Sequence, residues 1–201
     1  HAEGFFLADE WVIVPSAPRE LAVLDREKGL PSHVIALPGR ALELLMPAPN
    51  RILAMTSRNS LNCYDVATGK HLWKQDTGLI MPDFLTANGN AIAFVERKED
   101  NLAVPLLVVI DPETGKRKVH QAISDGDFPT NAAIDEKSIY VTFRERAARD
   151  RLYVTAFDLA TGGRAWTCPR QAKGSSPQVF PPTLSGSLFL LNGAHLEQVG
   201  G

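Results

Sequence analysis

Three things are scarce in this chain, and each scarcity closes off a class of function. Charge of one sign is the first: 21 Lys and Arg stand against 23 Asp and Glu over 201 residues. Nothing there supplies the basic field that a nucleic-acid or anionic-membrane binder needs. Long apolar runs are the second. The longest uncharged apolar stretch, Leu102 to Ile110, has nine residues and is interrupted by Pro105, against the roughly 20 that a membrane-crossing helix requires. Cysteine is the third, with only Cys63 and Cys168. They read as two unpaired structural thiols, because a bridge would have to join segments two repeats apart. Cysteine therefore leaves the redox compartment open.

Chemical motifs are scarce as well. The histidines, His1, His33, His71, His120 and His195, are dispersed and form no HxH, HxxxH or CxxC pattern, which metal ligation would call for. No G-x-S-x-G elbow, P-loop or G-x-G-x-x-G occurs. No catalytic, cofactor-binding or metal-binding residue is assigned, and no cofactor is expected. Helical periodicity is not sustained anywhere. The opening HAEGFFLADEW lacks the basic flank and long apolar core of a signal peptide. Since the chain starts on His1 rather than Met, the expectation is a segment of a longer protein, or one from which a leader or tag has gone.

What is present is a repeat. Asp25-Arg26-Glu27-Lys28-Gly29, Asp65-Val66-Ala67-Thr68-Gly69, Asp111-Pro112-Glu113-Thr114-Gly115 and Asp158-Leu159-Ala160-Thr161-Gly162 each follow an apolar strand, at intervals of 40, 46 and 47 residues. The Asp carboxylate accepts from backbone N–H groups two or three residues on and favours a type I turn. The Gly supplies the φ > 0 residue that returns the chain into the next strand. These eight residues are therefore assigned to structural turns. A repeat of this length built from short strands points to a β-propeller.

Each repeat divides into four strand candidates, giving an all-β fold of four-stranded antiparallel blades: about four complete blades and a partial fifth. Their limits are approximately 4–40, 41–78, 79–126, 127–174 and 175–201. The fifth reads VFPPTL, SLFLLN and HLEQV and reaches no Asp-x-x-x-Gly. Open sheet edges invite aggregation, so the remaining blades are expected from a longer chain or a second copy. In the third blade DFLTA is taken as the first strand, and in the fourth NAAID.

Second-to-third connections are tight in the first two repeats. They are longer and charged in the next two, Lys98 to Pro105 and Arg146 to Arg151. ERKEDN (96–101) and RERAARDR (144–151) are expected to project from one face, opposite the turns. Arg97, Lys98, Glu99, Asp100, Arg144, Arg146, Arg149 and Arg151 are thereby the candidate contacts for a protein partner. Asp83, Asp127 and Asp135 sit near first strands, where a channel ligand would lie.

CYDVATGKHLW and AFDLATGGRAW, with the weaker VIDPETGKRK and VLDREKG, resemble the repeats of PQQ-like (quinoprotein-like) β-propellers, whose consensus approximates LYALDAxTGKxxW. The resemblance covers essentially the whole chain. It implies that Trp73 and Trp166, on fourth strands, dock onto the turn of the neighbouring blade. The first and third repeats depart, with His33-Val34-Ile35 and residues around Val119 at that place. The family holds PQQ-dependent dehydrogenases, periplasmic assembly proteins resembling BamB, and sensor domains of bacterial membrane kinases. The dehydrogenases tend to carry an adjacent Cys-Cys pair over the cofactor, absent here. The resemblance implies a periplasmic or secreted, non-enzymatic scaffold for protein–protein interaction. The alternatives are a fragment of a PQQ-dependent dehydrogenase or a kinase sensor domain.

Overall fold

The computed structural model describes residues 5–80, 84–98, 101–124, 127–147, 151–171, 178–180, 188–192 and 195–199. All are organised as antiparallel strands and turns, with five sheets and no α-helix among them. The sheets are blades of a partial β-propeller.

The chain forms two compact units. One comprises His1–Gly78 and the turn segment Asp111–Lys116. Its sheets are β1 (Phe6–Leu7), β2 (Trp11–Ala17), β3 (Glu20–Asp25), β4 (Pro31–Ala36), and then β5 (Ala41–Ala48), β6 (Arg51–Thr56), β7 (Ser60–Asp65), β8 (His71–Asp76). Each is a meander in chain order. The central strands β6 and β7 are buried on both faces, whereas β4 and β8 are largely exposed and bury one residue each, Ile35 and Trp73. This is the burial expected when a middle strand is packed on both sides and an outer strand is half wet. Ile13, Leu21, Val23, Ile52, Ala54 and Tyr64 anchor the core of this unit.

The other unit comprises Leu79–Ile110 and Arg117–Gly201. It holds β9 (Leu79–Ile80), β10 (Thr86–Asn88), β11 (Ala91–Lys98), β12 (Asn101–Ile110) and β13 (Arg117–Ala122) in one sheet. A second contains β14 (Phe128–Ile134), β15 (Ser138–Arg144), β16 (Arg151–Asp158) and β17 (Arg164–Gln171). The last is three-stranded: β18 (Gln178–Phe180), β19 (Leu188–Asn192) and β20 (His195–Val199). Phe84, Phe94, Phe143 and Phe157 are its largest buried side chains.

Two sequence expectations are corrected here. The first strand of the third blade is divided, β9 and β10 both pairing with β11, where one strand over DFLTA was expected. The charged connection from Lys98 to Pro105 is mostly strand: Arg97 pairs with Pro105 and Lys98 with Asn101 across a register shift. Pro105 offers no N–H to a ladder, and a bulge is where a strand tolerates it.

The four turns share one geometry. Oδ1 of Asp25 accepts from the Glu27 and Lys28 amides at 3.0 and 2.8 Å. Asp111 does the same with Glu113 and Thr114 at 2.8 and 3.0 Å. In Asp65 and Asp158 the same oxygen also takes the Thr68 or Thr161 hydroxyl, at 2.6 and 2.7 Å. Gly29, Gly69, Gly115 and Gly162 close the turns at φ 65°, 68°, 69° and 73°, the left-handed region that glycine enters without penalty.

These glycines differ in what lies over them. A Cβ on Gly115 would stand 2.6 Å from Trp73 Cδ2, while one on Gly29 would meet nothing within 4 Å. Gly29→Ala is expected to cost about 1–2 kcal/mol, the left-handed penalty alone. Gly115→Ala adds overpacking and should cost about 2–5 kcal/mol, with urea unfolding to separate the two. The Lys28 amide holds the Asp25 carboxyl below its ordinary value, and the Thr161 hydroxyl does so for Asp158. A depressed carboxyl contributes stability above the ordinary aspartate range, and this is lost as pH falls through about 4 toward the folded value. The Asp25→Asn/Asp158→Asn variant should show a shallower loss of stability than the parent between about pH 5 and 2.

Candidate functional site

Strand alternation sorts the residues at the far end of the β11–β12 hairpin. Glu96 turns inward and is buried, where its carboxylate accepts from Arg117 Nη1 and Nη2 at 3.0 and 3.3 Å and lies 3.1 Å from His120 Nε2. The expectation that 96–101 projects as a loop therefore fails at Glu96, because the residue is inside a strand. Arg97, one position on, turns the other way, and its guanidinium lies over the Phe128 ring, 5.8 Å from the centroid. Phe128 is 41% exposed and pairs with Arg144 across β14 and β15.

Asp127 fixes this corner. Its Oδ1 accepts from the Arg146 amide at 3.0 Å, its Oδ2 from the Tyr153 hydroxyl at 2.6 Å, and its carbonyl from Ser124 Oγ at 3.0 Å. Burial, and then the carboxylate beside it, push the Tyr153 phenol well above its ordinary range, so it remains a donor. The Tyr153 ring stacks on Phe143 at 5.1 Å, and Phe143 is fully buried. An unbroken chain of contacts thus runs from the exposed rim into the core of the unit.

The structure therefore brings the Arg97 guanidinium over Phe128, sets Arg144 opposite Phe128 in register, and ties Arg146 to Asp127 through its backbone amide. Arg97 Nε is buried with no hydrogen-bond partner among the described residues. Glu99, Asp100 and Arg149 lie outside the described residues, as do the side chains of Lys98 and Arg151. Phe128 was not among the sequence candidates. The available signal was an aromatic residue opening an inner strand between two charged hairpins.

The other candidates are placed apart. Asp135, at the opposite end of β14 from Asp127, accepts from the Lys137 and Ser138 amides and from the Tyr140 hydroxyl at 2.7, 2.6 and 2.6 Å. Burial and that carboxylate push Tyr140 up to about 12. Asp83 lies outside the described residues. Cys63 is fully buried in β7 opposite Trp73, and burial first of all raises its thiol to about 11. A thiol walled into a core cannot cover a quinone, so Cys63 does not fit the cofactor lid of the dehydrogenases. Among the described residues no group of three His, Cys, Asp or Glu could hold a metal ion.

Trp73 Nε1 donates to Pro112 O at 2.9 Å, and Arg51 reaches the same carbonyl at 3.0 Å while also pairing with Glu113. His33 lies against Gly69, and Val119 and Gln121 lie against Gly162, whose carbonyl accepts from Gln121 Nε2. Trp166 is 40% exposed, its ring 5.9 Å from that of Tyr140.

Successive four-stranded meanders that repeat one turn are the architecture of a β-propeller. The model of the family described as outer membrane protein assembly factor BamB matches residues 1–179. The chain belongs to that family. No curated protein matches it. Among solved structures, it is similar to a chain of the complex of KlAtg21 with the coiled-coil of AgAtg16, with a TM-score of 0.70 at 11% identity. The match covers 94% of this chain and 64% of that one, a likeness of fold.

The rim depends on its anchor. Tyr153→Phe leaves the part-buried Asp127 Oδ2 short of a donor while keeping the stack on Phe143. It should cost about 1–2 kcal/mol in urea unfolding.

Proposed function

We propose that this chain is a non-enzymatic scaffold outside the cytoplasm that holds a protein partner at the rim around Phe128. Membership of a family described by outer-membrane protein assembly supports both the location and the kind of work. Among the described residues, no helix is long and apolar enough to cross a membrane. The observation that carries the reading is the stack of Arg97 on a 41% exposed Phe128. An aromatic ring and guanidinium held rigidly at the surface form the kind of anchor that dominates protein interfaces. The Arg97 guanidinium over the ring, with the exposed Arg146 beside the same corner, favours a partner segment with an acidic side chain beside an apolar one.

Asp25, Asp65, Asp111 and Asp158 have their Oδ1 atoms engaged by turn amides, which gives the repeated carboxylates a structural role. A photo-crosslinking residue placed at position 128 should yield a discrete adduct with a protein of the envelope fraction. Arg146→Glu should weaken that adduct's formation by about tenfold or more, and Lys74→Glu, on β8, should leave it unchanged. An adduct indifferent to charge reversal at Arg146 would remove the rim from consideration. Dye reduction by alcohols or sugars in the presence of PQQ and calcium would overturn the non-enzymatic reading.

A further inference from the structure

The contacts over Gly115 and Gly162 are built from equivalent positions with very different volumes. Val109 pairs with Val119 as Cys63 pairs with Trp73, and Ile92 pairs with Ile110 as Ile52 pairs with Tyr64. The register thus sets Val119 in the place of Trp73, and Ala91, one residue before Ile92, in the place of Arg51. Within the first unit, Trp73 Nε1 and Arg51 Nη1 converge on Pro112 O, and Arg51 also pairs with Glu113. In the second unit the counterparts of Pro112 and Glu113 are Leu159 and Ala160. An indole and a guanidinium are there replaced by an isopropyl group and a methyl group.

Protein interiors are close-packed, so side-chain volume lost from a contact leaves a space. A hollow of about 550 Å³, within the range of small-molecule sites, has Ala91, Val109, Leu159 and Ala160 among its walls. Gln121 takes up part of the loss by donating to Gly162 O. Leu159 O, the counterpart of the doubly bonded Pro112 O, has no donor among the described residues. The charged groups around the hollow are Lys118 and Lys137 against Glu136 and Asp158. The two signs balance, so the site favours a neutral ligand.

We propose that this hollow binds a small, neutral aromatic heterocycle carrying an N–H, of the indole class. The ring lies against the apolar walls at Ala91, Val109 and Leu159, and its N–H donates to Leu159 O as Trp73 Nε1 donates to Pro112 O. A guanidinium, which also reaches the carbonyl in the filled contact, is disfavoured here because Ala160 stands where Glu113 supplies the carboxylate. The rim around Phe128 shares no residue with this site, so failure of either proposal leaves the other standing.

Titration of the isotope-labelled chain with indole, followed by amide NMR, tests this, with benzofuran as a probe of the same shape that lacks the N–H. The Ala91, Leu159 and Ala160 amides should shift and saturate with a Kd of about 1 mM or lower, the range open to a ligand of this size. Benzofuran should bind about fivefold more weakly, for want of the hydrogen bond. Ala91→Arg, which restores the side chain of the filled contact, should weaken indole binding about tenfold or more by occupying the hollow. Ala160→Trp, at an exposed position, should do the same. Amide dispersion reports whether each variant is folded, and the comparison of the two probes on the parent stands independently of both. No saturating shift, saturation confined to amides elsewhere, benzofuran binding as tightly as indole, or folded variants binding indole as tightly as the parent would each overturn the proposal.

Discussion

A glycine in the left-handed region, with the next side chain of the repeat resting on its bare backbone, is the contact on which the rest of this structure depends. The aspartate carboxylate shapes the turn from inside, and the glycine ends it without the 1–2 kcal/mol or so that another residue would incur. Because that residue has no Cβ, the turn peptide is open to close approach from above. A local conformational requirement and a non-local packing contact are thereby met at one atom position. Substitution there acts on both together, which distinguishes Gly115 and Gly162 from the uncovered Gly29.

The side chain that fills the slot varies, and the polar bookkeeping varies with it. Trp73 brings both surface and an N–H, and shares Pro112 O with the Arg51 guanidinium. Val119 supplies surface alone, and Gln121, two residues on, donates to Gly162 O. His33 packs on Gly69 and meets Trp11 edge-on at 6.1 Å, but its Nε2 is buried without a hydrogen-bond partner among the described residues. An unpartnered buried polar atom is costly, so the His33 contact is the least well satisfied of the three. The departures from Trp in the first and third repeats are therefore of two kinds: one is compensated by a neighbour and one is not.

The rim shows how a surface feature acquires rigidity. Charged hairpin tips are ordinarily solvated and mobile. Here Asp127 ties the backbone at Arg146 to Tyr153, and Tyr153 is stacked on a core phenylalanine. The ordering entropy that a partner would otherwise have to overcome is already met by folding, which is the physical meaning of preorganisation.

The four-strand repeat, its turns and its propeller class were legible from residues 61–73 and their copies, because turn chemistry and strand alternation are local properties that a sequence displays directly. The division of the first strand of the third blade was not, nor was the pairing of Lys98 with Asn101, since both depend on how one strand finds register against another. The candidate arginines were legible as a charged cluster. Their meeting point was not, because Asp127 and Phe128 at the start of β14 reach Arg97 of β11, Arg146 beyond β15 and Tyr153 of β16 only once those strands have paired and packed. What the sequence alone determined is the set of local conformations, since each is decided by a few adjacent residues. Which side chains face inward, such as Glu96, and which meet across strands was decided only by tertiary structure, because those contacts exist only once the sheets have paired and packed.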